Sequence, residues 1–350
     1  MATRAANPGG NSFRIAFALL VLAITGGTFA SLTALAYRAG SAINTELRFF
    51  STWVAPTLDD ASAVCPVEYA LRTNEANDVI FLGDSTCRTS IDPVRFQRLT
   101  GLSAYNLGSL RGIGAEGFVI TAKAYLLHHP KPRAVVLCVT PVCFEADART
   151  VGGQVWKMFV SNYGPEVSEA GPLFERISYF CKRGVLATWR PSNDLRLLGK
   201  GKDVRDLPLD GLAAETYRTL QVKTREARGF FCLPGAHGPP KGMGRADNVL
   251  IRKEWTQGIR RLAQICKEAG VVLTIHFAPV SAEVVKVRDL SPLEAWSQEL
   301  EASYPQTTVA RPIVVVYDGP LMWDAIHLNS AGAEKFLPVV AKDLQAVLDN

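Results

Sequence analysis

Asp78-Val79-Ile80-Phe81-Leu82-Gly83-Asp84-Ser85 reads as a strand that ends abruptly. Its apolar residues are continuous rather than alternating, the pattern of a strand covered on both faces. Ala134-Val135-Val136-Leu137-Cys138-Val139 has the same character, and so does Val271-Val272-Leu273-Thr274-Ile275. A short strand is expected near Ala104-Tyr105-Asn106, and another over Pro312-Ile313-Val314-Val315-Val316-Tyr317.

Helical signals fill the intervals. Asp92 is placed to cap a helix with Pro93 at its first position. A glycine-rich turn, Gly108 to Gly117, leads into a helix that runs through Leu127 and stops before Pro130 and Pro132. Further helices are expected near Asn248–Glu268 (closed by Gly270), near 292–303, and from Ala331 to Leu348. Strands separated by helices require right-handed crossovers. The expected fold class is therefore α/β: a three-layer, doubly wound parallel sheet with helices on both faces. Ligands of such sheets sit outside the carboxyl ends of the strands.

Outside that core the chain changes character. Residues 1–14 hold two Arg and no acid, and read as a tail on the cytoplasmic side. Ile15 to Tyr37 carries no charge, and its 23 residues would span about 34 Å as a helix, enough for a transmembrane segment. Ala34-Leu35-Ala36 resembles a signal-peptide cleavage site, but the apolar run is longer than such peptides need. The chain thus reads as single-pass, anchored in the lipid bilayer by a signal-anchor, with residues 38–77 as a juxtamembrane stalk or entry segment. The domain over 78–348 is expected on the extracytoplasmic side, periplasmic or on the outer face. Residues 146–247 are irregular, contain a basic stretch at Lys200, Lys202 and Arg205, and read as an insertion or cap.

Composition narrows the function. The 350 residues carry 38 Lys and Arg against 33 Asp and Glu, and the net charge of +5 is dispersed, which argues against nucleic acid as a partner. Seven cysteines are too sparse for a disulfide scaffold, and their odd number leaves at least one thiol unpaired.

The chemistry is expected at the strand ends. A serine directly after the first strand, Ser85, would be exposed at the sheet rim, its own N–H beside the positive end of the next helix. Asp324-Ala325-Ile326-His327 stands just before the last helix. One helical turn of spacing lets Asp324 hold one imidazole nitrogen while the other takes a proton from a weak nucleophile.

Gly83-Asp84-Ser85, the Asn106-Leu107-Gly108 turn, and Asp324-x-x-His327-Leu328-Asn329 with Gly332 together resemble the SGNH (GDSL-type) hydrolases. That resemblance covers nearly all of 78–348 except the middle, and implies a flavodoxin-like sheet. It implies Ser85 as nucleophile, His327 as general base and Asp324 as its orienting partner. The oxyanion would be bound by the N–H of Ser85 and by a glycine of the second block, for which Gly108 and Gly112 both stand in the right turn. The family's third block carries an oxyanion asparagine. Here that place reads Val139-Thr140-Pro141-Val142-Cys143-Phe144, without one. The chain is also similar to membrane-anchored alginate and peptidoglycan O-acetyltransferase proteins and to the D-alanyl-lipoteichoic acid transfer protein. That similarity implies an esterase or acyltransferase acting on acylated carbohydrate of the cell envelope, with an integral-membrane acyl donor as partner. The alternative is a catalytically inactive envelope protein that keeps the fold for binding or assembly.

Other polar residues near these motifs have structural readings. Cys87 falls within the helix start and reads as structural or disulfide-forming, and Asp84 as a turn-stabilising acceptor. Asp318 competes with Asp324 as orienter. Arg88 and Arg111 lie near the site and could meet an anionic substrate, although a solvated charge is the default. His128 and His129 sit at a helix end and His276 at the end of a buried strand; neither these nor His237 has metal-ligand spacing. The Gly108–Gly117 turn lacks the Lys-Ser/Thr of a phosphate loop, so neither cofactor nor metal is expected.

Overall fold

The first strand, β1 (Val79–Gly83), is buried at every position and is flanked on both sides. In this computed structural model, residues 58–145, 159, 163–164, 226–231, 233, 251–282 and 291–349 are described. The tail 1–14, the apolar run 15–37 and most of the cap at 146–247 lie outside those residues. Among the described residues no helix is long and apolar enough to cross a membrane.

In chain order the elements are α1 (Leu58–Arg72), β1, α2 (Ser85–Ser90), α3 (Pro93–Thr100), β2 (Ala104–Gly108), α4 (Gly114–His128) and β3 (Ala134–Val139). After the cap come α5 (Lys253–Ala269), β4 (Val272–Phe277), β5 (Val280–Ser281), α6 (Ser291–Ser303), β6 (Thr307–Val309), β7 (Val316–Tyr317) and α7 (Ser330–Leu348). The local signals act as expected at several ends. Asp92 accepts from the N–H groups of Val94 and Arg95 with Pro93 at the first helical position, and Gly270 closes α5 in the left-handed conformation.

The fold is α/β, built on a five-stranded parallel sheet in the order β2-β1-β3-β4-β6. One face packs Val79, Phe81, Val136 and Cys138 against Cys87, Ile91 and Phe96 of α2 and α3 and against Phe336, Leu337 and Val340 of α7. The helices α1, α4 and α5 pack on one another and reach the sheet at β2, β1 and β4. Burying both faces explains the unbroken apolar runs. From β1 the chain moves to one side for β2 and then to the other for β3. The order therefore reverses at β1, and a crevice opens at the carboxyl ends there. In the register Gly83 lies level with Gly108 and with Cys138, so three loops leave the sheet side by side.

Two sequence expectations need correction. Pro312–Tyr317 does not form a strand of the main sheet. Only Val316–Tyr317 is extended, and it pairs with Val280–Ser281 in a separate two-stranded sheet. Pro312 brings no N–H to a ladder. The fifth strand is instead Thr307–Val309, whose β-branched residues are too few to stand out. Within the expected stalk, Leu58–Arg72 is a helix with Ala63, Val67 and Ala70 buried. Pro66, read as punctuation, lies inside it.

Candidate active site

Gly83 ends β1 at φ 153°, and a Cβ there would overlap the Cys138 carbonyl oxygen. Only glycine permits the chain to turn so tightly between neighbouring strands. Asp84 then caps α2. Its Oδ1 accepts from the Thr86 N–H at 2.9 Å and from the Thr86 hydroxyl, while Oδ2 accepts from the Cys143 thiol at 2.7 Å and the Thr140 hydroxyl at 3.3 Å. Asp84 is buried and turned into the protein, the role of a turn-stabilising acceptor. Burial, reinforced by the Asp84 charge, pushes the Cys143 thiol well above its ordinary value, which keeps it a donor.

The serine helix is fastened from below. Asn106 of β2 donates from Nδ2 to the carbonyls of Cys87 at 2.9 Å and Ile91 at 2.8 Å. Its Oδ1 accepts from the Gly108 N–H at 2.8 Å and from the Cys87 thiol at 3.5 Å. The buried amide is fully satisfied and pins both ends of α2 to β2. Ser109 adds a bond from its N–H to the Gly83 carbonyl at 2.9 Å. Arg88 is buried too, with its guanidinium over the Phe231 ring. It is neither a solvated charge nor a rim group.

The base is held by a closed loop. Met322 and Leu328 form a bridge, and Trp323 donates its N–H to the His327 carbonyl at 2.8 Å. Asn329 caps α7 through Gly332 and donates to the Pro320 and Met322 carbonyls. Gly332 has no Cβ to collide with the Leu321 carbonyl. Ser281 of β5 donates its N–H to Ala325 at 2.9 Å, which anchors the loop to the rim.

These two constructions bring Ser85 Oγ within 2.8 Å of His327 Nε2, across 242 positions of sequence. His327 Nδ1 lies 2.7 Å from Asp324 Oδ2, and Asp324 Oδ1 accepts from the N–H groups of Ile326 at 2.9 Å and His327 at 2.7 Å. Partial burial pushes the Asp324 carboxyl up. The hydrogen bond and charge of His327, with the two backbone donors, outweigh it and hold the group below the usual carboxylate range. An ionised Asp324 can only accept, so the proton of the ring belongs on Nδ1. Nε2 then presents its lone pair to the Ser85 hydroxyl. Ser85 and His327 are each partly exposed at the rim.

Other candidates separate cleanly. Asp318 is exposed and does not reach the ring; Asp324 occupies that place. Cys87 is fully buried, its thiol raised by burial, and it faces Asn106 rather than the rim. The described cysteines 65, 87, 138, 143 and 266 are all free thiols. Gly108 and Gly112 differ. The Gly108 N–H is committed to Asn106, whereas no acceptor among the described residues takes the N–H of Gly112, in the 3₁₀ turn Arg111–Ile113. The Thr140 hydroxyl donates to Asp84, and Pro141 has no N–H. His276 is buried with Nε2 unsatisfied, and Asp343 is 3.9 Å from its Nδ1. Among the described residues no group of three His, Cys, Asp or Glu side chains is placed to hold a metal ion.

The support around Asp84 and Asn106 was not read from sequence beyond a turn role. The one sequence trace of that support is a lone Asn two residues before Gly108 in an otherwise apolar strand, and its partners 15 and 19 positions away carry no spacing signal. Comparison of the chain with protein-family models and with curated proteins gives no match.

Proposed function

We propose that this protein is a membrane-anchored, extracytoplasmic serine esterase or O-acyltransferase of the SGNH type, acting on acyl esters of cell-envelope carbohydrate. The observation that carries the reading is the unbroken chain Ser85 Oγ, His327 Nε2, His327 Nδ1, Asp324 Oδ2, with separations of 2.8 and 2.7 Å. The strand order β2-β1-β3-β4-β6, that of flavodoxin-like sheets, supports the finer fold assignment. The uncharged run Ile15–Tyr37 supports the anchor.

In this reading Ser85 Oγ adds to the ester carbonyl carbon while His327 Nε2 takes its proton, and the carbonyl π pair moves to oxygen. The Ser85 and Gly112 N–H groups face that charge. Collapse breaks the bond to the leaving alkoxide, which collects the proton from Nε2, and leaves Ser85 acylated. Water or a sugar hydroxyl then adds to the acyl carbon, gives its proton to Nε2, and frees Ser85. Hydrolysis and transfer share every protein group and differ only in that second nucleophile.

The test is a fluorophosphonate probe on the purified full chain, with release of acetate from acetylated polysaccharide as the second measurement. Label on Ser85, and loss of both label and turnover in Ser85→Ala, is expected. A folded wild type that neither labels nor turns over ester more than Ser85→Ala sinks the proposal in favour of a binding or assembly role.

A further inference from the structure

Residues Arg228 to Phe231, with Leu233, belong to the inserted stretch and lie against β2, the edge strand of the main sheet. The Arg228 carbonyl accepts the Asn106 N–H at 2.9 Å, and Arg228 Nη1 donates to Gln97 Oε1 of α3 at 2.7 Å. Arg228 and Gly229 both take positive φ, 49° and 91°. A Cβ at Gly229 would lie 1.8 Å from the Asn106 carbonyl oxygen, so only glycine fits against the strand here. Arg228 is held in its sparsely populated conformation by the bonds around it.

From β2 the segment reaches both halves of the relay. The Phe231 N–H donates to the Arg88 carbonyl at 3.0 Å, in the last turn of α2, the helix that Ser85 opens. The Leu233 carbonyl accepts the N–H of Ser330 at 3.2 Å, and Ser330 is the first residue of α7, just after His327. A carbonyl in a last turn and an N–H in a first turn are groups that a helix cannot satisfy by itself. One strap therefore closes the end of the serine helix and the start of the helix behind the base. Only three residues run from its donor to its acceptor, a reach of at most about 10 Å, so the helix ends cannot part far without breaking a bond.

We propose that this strap is a positioning element of the relay: seated, it holds α2 and α7 at the spacing that sets Ser85 Oγ against His327 Nε2, and unseated it leaves the serine without its base. The inference rests on the serine reading above. The strap residues move no proton; they act through the two helices. Because the strap is part of the insertion, drawing it off β2 switches the site off. The effect falls on kcat, since a misplacement of about 1 Å costs on the order of 10²-fold in rate.

Proline at a first helical position keeps the helix and removes the N–H, and Asn329 before it is already extended. Ser330→Pro therefore breaks one strap bond and leaves α7 intact, while Ser330→Ala, which keeps the N–H, is its control. The assay uses the purified full chain in detergent and p-nitrophenyl acetate. Ser330→Pro is expected to lower kcat by about 10²-fold with little change in KM, and to slow fluorophosphonate labelling of Ser85 by the same factor. Its unfolding temperature should stay within about 4 °C of wild type, and Ser330→Ala should match wild type throughout. Gly229→Ala, at the other end of the strap, should give the same loss. The double variant should lose no more than either alone, because both changes release one element. Unchanged kcat in Ser330→Pro overturns the proposal, as does an equal loss in Ser330→Ala or a change confined to KM. Losses that multiply in the double variant mark independent structural damage and overturn it as well. Should Ser330→Pro not fold, Gly229→Ala decides on the same kcat and KM readings. Equal turnover by wild type and Ser85→Ala removes the serine reading itself, and this inference with it. An active wild type with an unaffected Ser330→Pro removes this inference alone.

Discussion

Replacing Asp324 by Asn separates catalytic geometry from stability. The carboxylate accepts three hydrogen bonds: Nδ1–H of His327 on Oδ2, and the Ile326 and His327 N–H groups on Oδ1. An amide can keep the two backbone donors on its oxygen, which leaves its NH2 facing Nδ1. The ring must then accept at Nδ1 and carry its proton on Nε2, where it no longer has a lone pair for Ser85. The wrong tautomer in such a relay lowers kcat by about 10⁴, equivalent to about 5.4 kcal/mol in the barrier. Stability should change far less. One hydrogen bond to a charged group becomes one to a neutral group, a loss of about 1 kcal/mol and roughly 2–4 °C in unfolding temperature.

The assay is initial-rate hydrolysis of p-nitrophenyl acetate, alongside thermal unfolding of the same preparations. Asp318→Asn is the control, since Asp318 is exposed and away from the ring; it should match wild type in both measurements. If Asp324→Asn keeps kcat within tenfold of wild type, the tautomer argument fails. Asp324 would then be only a loop-closing acceptor. The acid limb of the stability profile is a further check. Because the Asp324 carboxyl is held below its ordinary value of about 3.9, the stability it adds is complete above that pH and is lost as pH falls through the lowered value.

Two other outcomes follow from the buried polar groups. Asn106→Ala leaves the Cys87 and Ile91 carbonyls and the Gly108 N–H without their partner, at about 1–3 kcal/mol each. Thermal unfolding should therefore drop by roughly 6–12 °C or more, with slower fluorophosphonate labelling of Ser85; equal unfolding temperatures would contradict the clamp. His276, pushed down to about 4 by burial, is neutral in the folded protein, while the unfolded chain takes up its proton near pH 6.5. Stability should thus fall as pH drops from about 6.5 to 4, by on the order of 3 kcal/mol at most, and His276→Leu should flatten that slope in a pH series of unfolding curves.

The readable parts of the molecule are those whose cause is local. β1, β3 and β4 announce themselves because burial on both faces demands uninterrupted apolar residues. Ser85 follows a strand directly, and Asp324 with His327 fit one turn, so each half of the relay is a short-range pattern. β6 is three residues long at the sheet edge, with Thr308 only half-buried, and carries too little apolar run to be seen. The Pro312–Tyr317 run looks more like a strand than β6 does. Its apolar residues are used instead beneath the base loop, where Val314 packs on Ala325 and Ile326 and Val315 accepts from the Val280 N–H.

The supports of the site were unreadable for the opposite reason. Asn106 bonds to residues 15 and 19 positions away, and Asp84 to a thiol 59 positions away. No spacing rule reaches that far. Yet these bonds decide whether two separately held groups meet. Ser85 is fixed by the main sheet, through Gly83, Asp84 and the Asn106 clamp, whereas His327 is fixed by a loop closed on itself at Asn329 and joined to the small two-stranded sheet through Ser281. The helix α7 packs against both α2 and α3 and carries the end of that loop, so it sets the separation of the two halves. Core changes at Phe336 or Leu337, which touch neither reacting group, should therefore lengthen the gap between Ser85 and His327 before they unfold the sheet. Such variants would lose kcat at temperatures where their circular dichroism is still native.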